Sequence, residues 1–210
     1  MKQENSISNI LPVLFGFFIM GFCDVVGITS THMKVDFGLS DTLSNMIPVV
    51  LFSMFLFFSI PTGMLMNKIG RKKTVVLSNL ITAVAMLIPL FHYTYTSTLI
   101  AFGLLGMGNT LLQVSLNPLL TNVVQGDKLT STLTAGQFIK AISSFLGPFI
   151  AAFAASQLNN WQYIFPIYAV ISVVATIWLL LTPIRQEELN NSRSSIGEIF
   201  SLLKNKTIFF

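Results

Sequence analysis

Apolar residues in this chain come in six long blocks separated by short polar stretches: Ile10–Thr31, Leu43–Met66, Thr74–Tyr93, Thr98–Leu120, Thr132–Ser156 and Trp161–Thr182. Each has the roughly 20 residues that carry an α-helix across about 30 Å of hydrocarbon. Strands of a membrane barrel would be about 10 residues long with alternating polarity, whereas Val49–Ile60 and Ile167–Leu181 show no such alternation. Hydrocarbon offers backbone N–H and C=O groups no partner, so spanning segments close their hydrogen bonds internally. The pattern predicts an all-α membrane protein, with a six-helix transmembrane bundle over residues 1–183.

The composition agrees, with 53% hydrophobic and 10% charged residues against roughly 45–50% and about 25% in soluble domains. Six spans place Lys2, Lys68, Arg71, Lys72, Lys73, Lys128, Arg185, Arg193, Lys204 and Lys206 on one side and Lys34 on the other. By the positive-inside rule both ends of the bundle are expected in the cytoplasm, as in a multi-pass protein of the cell (inner) membrane. The opposite loops carry His32, His92, Tyr93, Tyr95, Trp161 and Tyr163, side chains that suit the headgroup level. The basic balance therefore reports topology, and no nucleic-acid partner is expected.

Ile10–Phe22 is too closely followed by further spans to be a cleaved signal, and the bulky Phe22 before Cys23 argues against lipoprotein processing. Cys23 is the single cysteine, so the chain can form no internal disulfide, and packing is its simplest role. Beyond the bundle, residues 184–206 read as a cytoplasmic linker. Ile196, Ile199, Phe200 and Leu203 lie at helical spacing there, and Ser195 and Glu198 form a capping-box pattern. A short amphipathic helix on the membrane surface is expected. Residues 207–210 open a further apolar run, the expected start of a truncated seventh span.

Between blocks two and three lies Gly63-Met64-Leu65-Met66-Asn67-Lys68-Ile69-Gly70-Arg71-Lys72-Lys73. It resembles the signature loop of the major facilitator superfamily, G-x-L-x-D-R-x-G-R-K/R, in spacing and position. Gly63 is expected to admit a close neighbour, Gly70 to allow a tight turn, and Arg71 and Lys72 to pin the loop to the inner face. Asn67 stands where the family has Asp, which removes one half of any charge pair there. Phe22-Cys23-Asp24, Ile60-Pro61-Thr62-Gly63 and Leu112-Gln113-Val114-Ser115-Leu116-Asn117-Pro118 are similar to the fucose permease branch of sugar:proton symporters. The resemblance covers nearly the whole chain. It implies a three-plus-three inverted repeat, a missing C-terminal six-helix half and a proton-coupling Asp at position 24. The branch's second carboxylate falls on Gln113, an amide that takes up no proton near neutral pH.

Asp24 and Lys140 are the two Asp, Glu, Lys or Arg residues inside the blocks. Asp24 lies about 14 residues, or roughly 21 Å, along span one, and Lys140 about 12 Å into span five. Charges at such depth mark an ion or substrate pathway unless they are simply paired, and an Asp24–Lys140 bridge is the structural alternative. Asn109, Gln113 and Asn117 share one face of span four, and Gln137, Lys140 and Ser144 share one face of span five. Such groups suit sugar hydroxyls as substrate-binding residues, while interhelical hydrogen bonds would explain the amides equally. Asp24 and Gln113 fall at comparable depth in helices that correspond in the inverted repeat.

These features point to proton-coupled uptake of a monosaccharide by alternating access between two halves, with Asp24 as the coupling carboxylate and the membrane lipid as surroundings. A facilitator or exporter of another polar solute, or a non-transporting half, are the alternatives. No His-Glu-x-x-His, Gly-x-Ser-x-Gly or intramembrane His/Cys cluster occurs, so neither an enzyme nor a metal or cofactor site is expected.

Overall fold

The computed structural model describes residues 7–184. The amphipathic segment of Arg185–Lys206 and the apolar run at 207–210 lie outside the described residues. Six helices long and apolar enough to cross a membrane run antiparallel, and the expected spans are all present with ends that differ by up to five residues. Span one is interrupted: α1 (Ile7–Met20) passes through a tight 3₁₀ turn, Gly21–Asp24, into α2 (Val25–Asp36). Spans two to five are α3 (Asp41–Ile69), α4 (Arg71–Phe91), α5 (Tyr95–Leu120) and α6 (Lys128–Gln157). Span six is α7 (Ile164–Leu181), entered through a 3₁₀ turn at Trp161–Tyr163.

Local chemistry sets the ends. Ser40 Oγ accepts from the Leu43 amide, and Thr94 with Ser97 forms a reciprocal capping box at the start of α5. Gly70 is both the last cap of α3 and the first of α4, with φ 92° and ψ 156°, a region open to glycine alone. This is the tight turn expected of the signature loop. Gly63 departs from expectation, because a Cβ there would meet nothing within 4 Å. It makes no close approach within this bundle.

Helix pairing follows an exchange pattern. Span one packs on span five and span four on span two, while spans three and four, one and six, and three and six also pack together. Swapping spans one to three with four to six maps this pattern onto itself, as a three-plus-three inverted repeat requires. Without a hydrophobic drive between helices in lipid, small residues decide how closely backbones meet. At Gly106 a Cβ would stand 2.3 Å from the Leu51 carbonyl oxygen, so α5 and α3 are in backbone contact. At Gly21 it would stand 2.8 Å from the Lys140 carbonyl oxygen, which brings span one nearly as close to α6. Phe17, Phe22, Leu105, Leu112, Phe165 and Tyr168 fill the core between these crossings, with Phe22 and Tyr168 stacked at 3.9 Å.

Burial is uneven. In spans one and four 61% of the most apolar window is buried within the bundle, against 11% in span two and 22% in span five. Spans two and five therefore present the largest unpartnered faces.

Candidate functional site

The two crossings correct the register between the repeats. Gly21 and Gly106 occupy matching positions, each against a carbonyl of the other repeat's second helix. Counting three residues on from each makes Asn109, rather than Gln113, the counterpart of Asp24. Both sit at the level of the 3₁₀ turn. Asn109 is fully buried and donates from Nδ2 to the Met20 carbonyl at 2.8 Å, and Gln113 Nε2 donates to Asn109 Oδ1 at 2.9 Å. The two amides of span four thus clamp span one at its break.

Asp24 lies just beyond this clamp, exposed on the open face of the bundle. Its Oδ2 accepts a hydrogen bond from Ser144 Oγ on α6, and its Oδ1 accepts a weak one from Cys23 Sγ at 3.5 Å. Asp24 and Lys140 form no ion pair, the one salt bridge between described residues being Lys34–Asp41 near the opposite helix ends. The sequence-based depths of Asp24 and Lys140 differ by about 9 Å, and Ser144, about 6 Å further along α6, makes up most of that offset. Lys140 is half-buried, and Asn117 and Gln137 are exposed. Structure therefore brings Asp24 to Ser144 and Asn109 to Gln113, while Asn117 and Gln137 make no hydrogen bond to Asp24.

A groove of about 470 Å³ runs between α2 and α6, lined by Gly27, Ile28, Thr31, His32, Pro148 and Ala151 among others. Gly27 and Pro148 are one turn past Asp24 and Ser144, so the groove starts beside the carboxylate. At its far end His32 stacks on Trp161 at 4.3 Å. Asp36 there accepts from Tyr93 Oη at 2.7 Å and Trp161 Nε1 at 3.3 Å, tying spans one, three and six. Burial and this bond push the Tyr93 phenol up, so it keeps its proton and continues to donate. Sequence reading took these aromatics as interfacial and passed over Asp36, since an acid at a helix end looks solvated.

At the other end, Arg71 Nη1 donates to the Pro118 carbonyl, Thr121 Oγ1 and Asn122 Oδ1 at 2.7–2.9 Å. Lys72 Nζ donates to the Leu180 and Thr182 carbonyls at 3.0 and 2.8 Å. The signature cations thus cap the carbonyl ends of α5 and α7, where cations and unpaired acceptors complement each other. Asn67, one turn before Gly70, is exposed. Besides Asp36, Gly21 carries a structural role that the pattern along the chain does not announce, and a glycine three positions before a carboxylate at membrane depth is the available signal.

The fold and these polar groups define a multi-pass membrane protein with a carboxylate at a helix break on the open face of the bundle. The Major Facilitator Superfamily model matches residues 12–210, and the chain belongs to that family, whose members are transporters. Proteins named glucose/galactose transporter from two Brucella abortus strains, 9-941 (biovar 1) and 2308, are 31% identical over 155 residues, or 72% of this chain. The chain spans 38% of their length. Among solved structures, a peptide transporter POT in complex with sulfate has TM-score 0.73 at 14% identity, covering 99% of this chain and 46% of that one. A structure described under substrate recognition in proton dependent oligopeptide transporters has TM-score 0.70 at 18% identity, covering 94% and 46%. At these identities the likeness is one of fold, and it matches this chain to about half of each structure.

Proposed function

We propose that the chain is the first half of a proton-coupled monosaccharide transporter, with Asp24 as the group that takes up the proton. The observation that carries this reading is the placement of Asp24: a carboxylate at the 3₁₀ break, exposed on the open face and unpaired with Lys140. A fixed ion pair would hold it charged, whereas a carboxylate bonded to a neutral hydroxyl can be charged or protonated. Gln113 carries no second proton, and its amide is already engaged by Asn109. Asn117, Gln137 and Lys140 offer donors and acceptors to sugar hydroxyls on the open side, and the Asn109–Gln113 pair holds the wall behind them. The similarity to glucose/galactose transporters supports a hexose as substrate.

In this reading the transporting protein includes a second six-helix half, covering the open faces of spans two and five. The full-length protein in proteoliposomes is expected to accumulate labelled glucose or galactose when an inward proton gradient is imposed. A protonophore should abolish that accumulation. Uptake of neither sugar, or accumulation indifferent to the protonophore, would overturn the reading.

The cytoplasmic orientation of the signature loop rests on ten cations against one. Lys73 is exposed beside the capping cations, so a cysteine placed there reports the side without disturbing the caps. It should react with an impermeant maleimide only after the cells are opened. Reaction in intact cells would reverse the topology.

A further inference from the structure

The Ser144 hydroxyl has one proton and two acceptors. Its Oγ lies 3.1 Å from the Lys140 carbonyl, one turn back on α6, and it also bonds Asp24 Oδ2. A hydroxyl donates one hydrogen at a time and can accept at its lone pairs. When Asp24 is ionised, donation to the carboxylate is charge-assisted and prevails over the carbonyl. When Asp24 carries a proton on Oδ2, that O–H is the donor: Ser144 Oγ accepts it and turns its own hydrogen to the Lys140 carbonyl. The bond between spans one and five then survives in both states with its direction reversed.

We propose that Ser144 is a positioning residue that reads the protonation state of Asp24 through this reversal, rather than a ligand for the sugar. The proposal rests on Asp24 being the proton-coupling group. The other titratable groups around the carboxylate do not replace Ser144. Cys23 reaches Oδ1 alone, Lys140 of α6 forms no ion pair with Asp24, and Tyr168 of α7 is stacked on Phe22 in the core. From α5 the facing groups are the amides of Asn109 and Gln113, both already paired. Gly21 makes the arrangement possible, since any side chain there would push α6 away at Lys140 and Ser143.

The test uses the full-length protein with Ser144→Ala and Ser144→Thr. Losing the hydroxyl removes a charge-assisted hydrogen bond from the carboxylate but only a weaker neutral one from the protonated acid, a difference worth roughly a tenfold change in proton affinity. In Ser144→Ala the pH of half-maximal proton-driven uptake should therefore move alkaline by about one unit, and Ser144→Thr should keep the original midpoint. A purely structural role would lower the amount of active protein and leave the midpoint in place. An infrared pH titration of the purified protein, following the carboxyl band lost in Asp24→Asn, gives the same midpoint independently of transport. An unchanged midpoint in Ser144→Ala, with the Asp24 band still titrating, would overturn the Ser144 role alone. Absence of any titrating band assignable to Asp24 would overturn both the Ser144 role and the coupling assignment.

Discussion

Asp24→Asn in the full-length protein is expected to abolish sugar accumulation against a gradient while leaving sugar-for-sugar exchange intact. The amide cannot titrate, so proton movement is uncoupled from the cycle. It can still donate from Nδ2 to Ser144 Oγ as the protonated acid does, or accept at Oδ1 as the carboxylate does, and the contact between spans one and five is kept. The fold should hardly notice: Asp24 is exposed in this half and neutralises no ion-paired partner, so the stability change should stay within about 1 kcal/mol. A bridge to Lys140 would behave differently. Removing one member of a buried pair costs roughly 3–5 kcal/mol, and Lys140→Met would then restore stability. The geometry predicts no such rescue, because the pair is not formed. Uptake, counterflow and thermal melting of the single and double variants separate the two cases. Full accumulation driven by a pH gradient in Asp24→Asn would eliminate the coupling role.

Gly106→Ala is expected to be the most damaging single-methyl change in the bundle. The new Cβ would lie 2.3 Å from the Leu51 carbonyl oxygen and 3.1 Å from its Cα, and backbone atoms have no rotamer into which to retreat. Helices α3 and α5 must separate along their length, which opens a packed interface in a solvent that rewards only close contact. Overpacking in cores typically costs about 1–3 kcal/mol and sometimes more, and a backbone clash belongs at or above the upper end. Gly63→Ala is the matched control. Its Cβ meets no neighbour, and replacing a helical glycine by alanine should gain up to about 1 kcal/mol in helix propensity. Melting followed by size-exclusion chromatography in detergent should show Gly106→Ala losing folded protein well below the parent's midpoint, with Gly63→Ala at or slightly above it. Equal melting of Gly106→Ala and the parent would mean that the helices are not in backbone contact there.

The contrast between these two glycines shows where sequence reading stops. Gly63 belongs to a recognisable signature and was credited with a close approach it does not make, whereas Gly106, in no motif, carries the tightest one. Motif spacing identifies a loop, but the contact a glycine permits depends on which helix crosses at that height. The spacing of the same loop leads one to expect Arg71 and Lys72 at the inner face, but only the fold shows their partners: the carbonyl ends of α5 and α7, about 50 and 108–110 positions away in the chain.

Sequence by itself determined the six spans, the gathering of the cations at one end of them and the place of Asp24 within the first. Those follow from one-dimensional physics: hydrocarbon thickness sets the block length, and a carboxylate within a block is too costly to be incidental. Periodicity also placed Gln137, Lys140 and Ser144 on one face of span five. It could not say which of the three meets Asp24, because that depends on the rotation and height of two helices whose crossing is set by Gly21. Only the tertiary structure decided that Ser144 holds the carboxylate, that Lys140 stands off from it, and that the Asn109 amide is used on the Met20 backbone. Each choice is fixed where two backbones approach within a single methyl group's width, a distance that no pattern along one chain encodes.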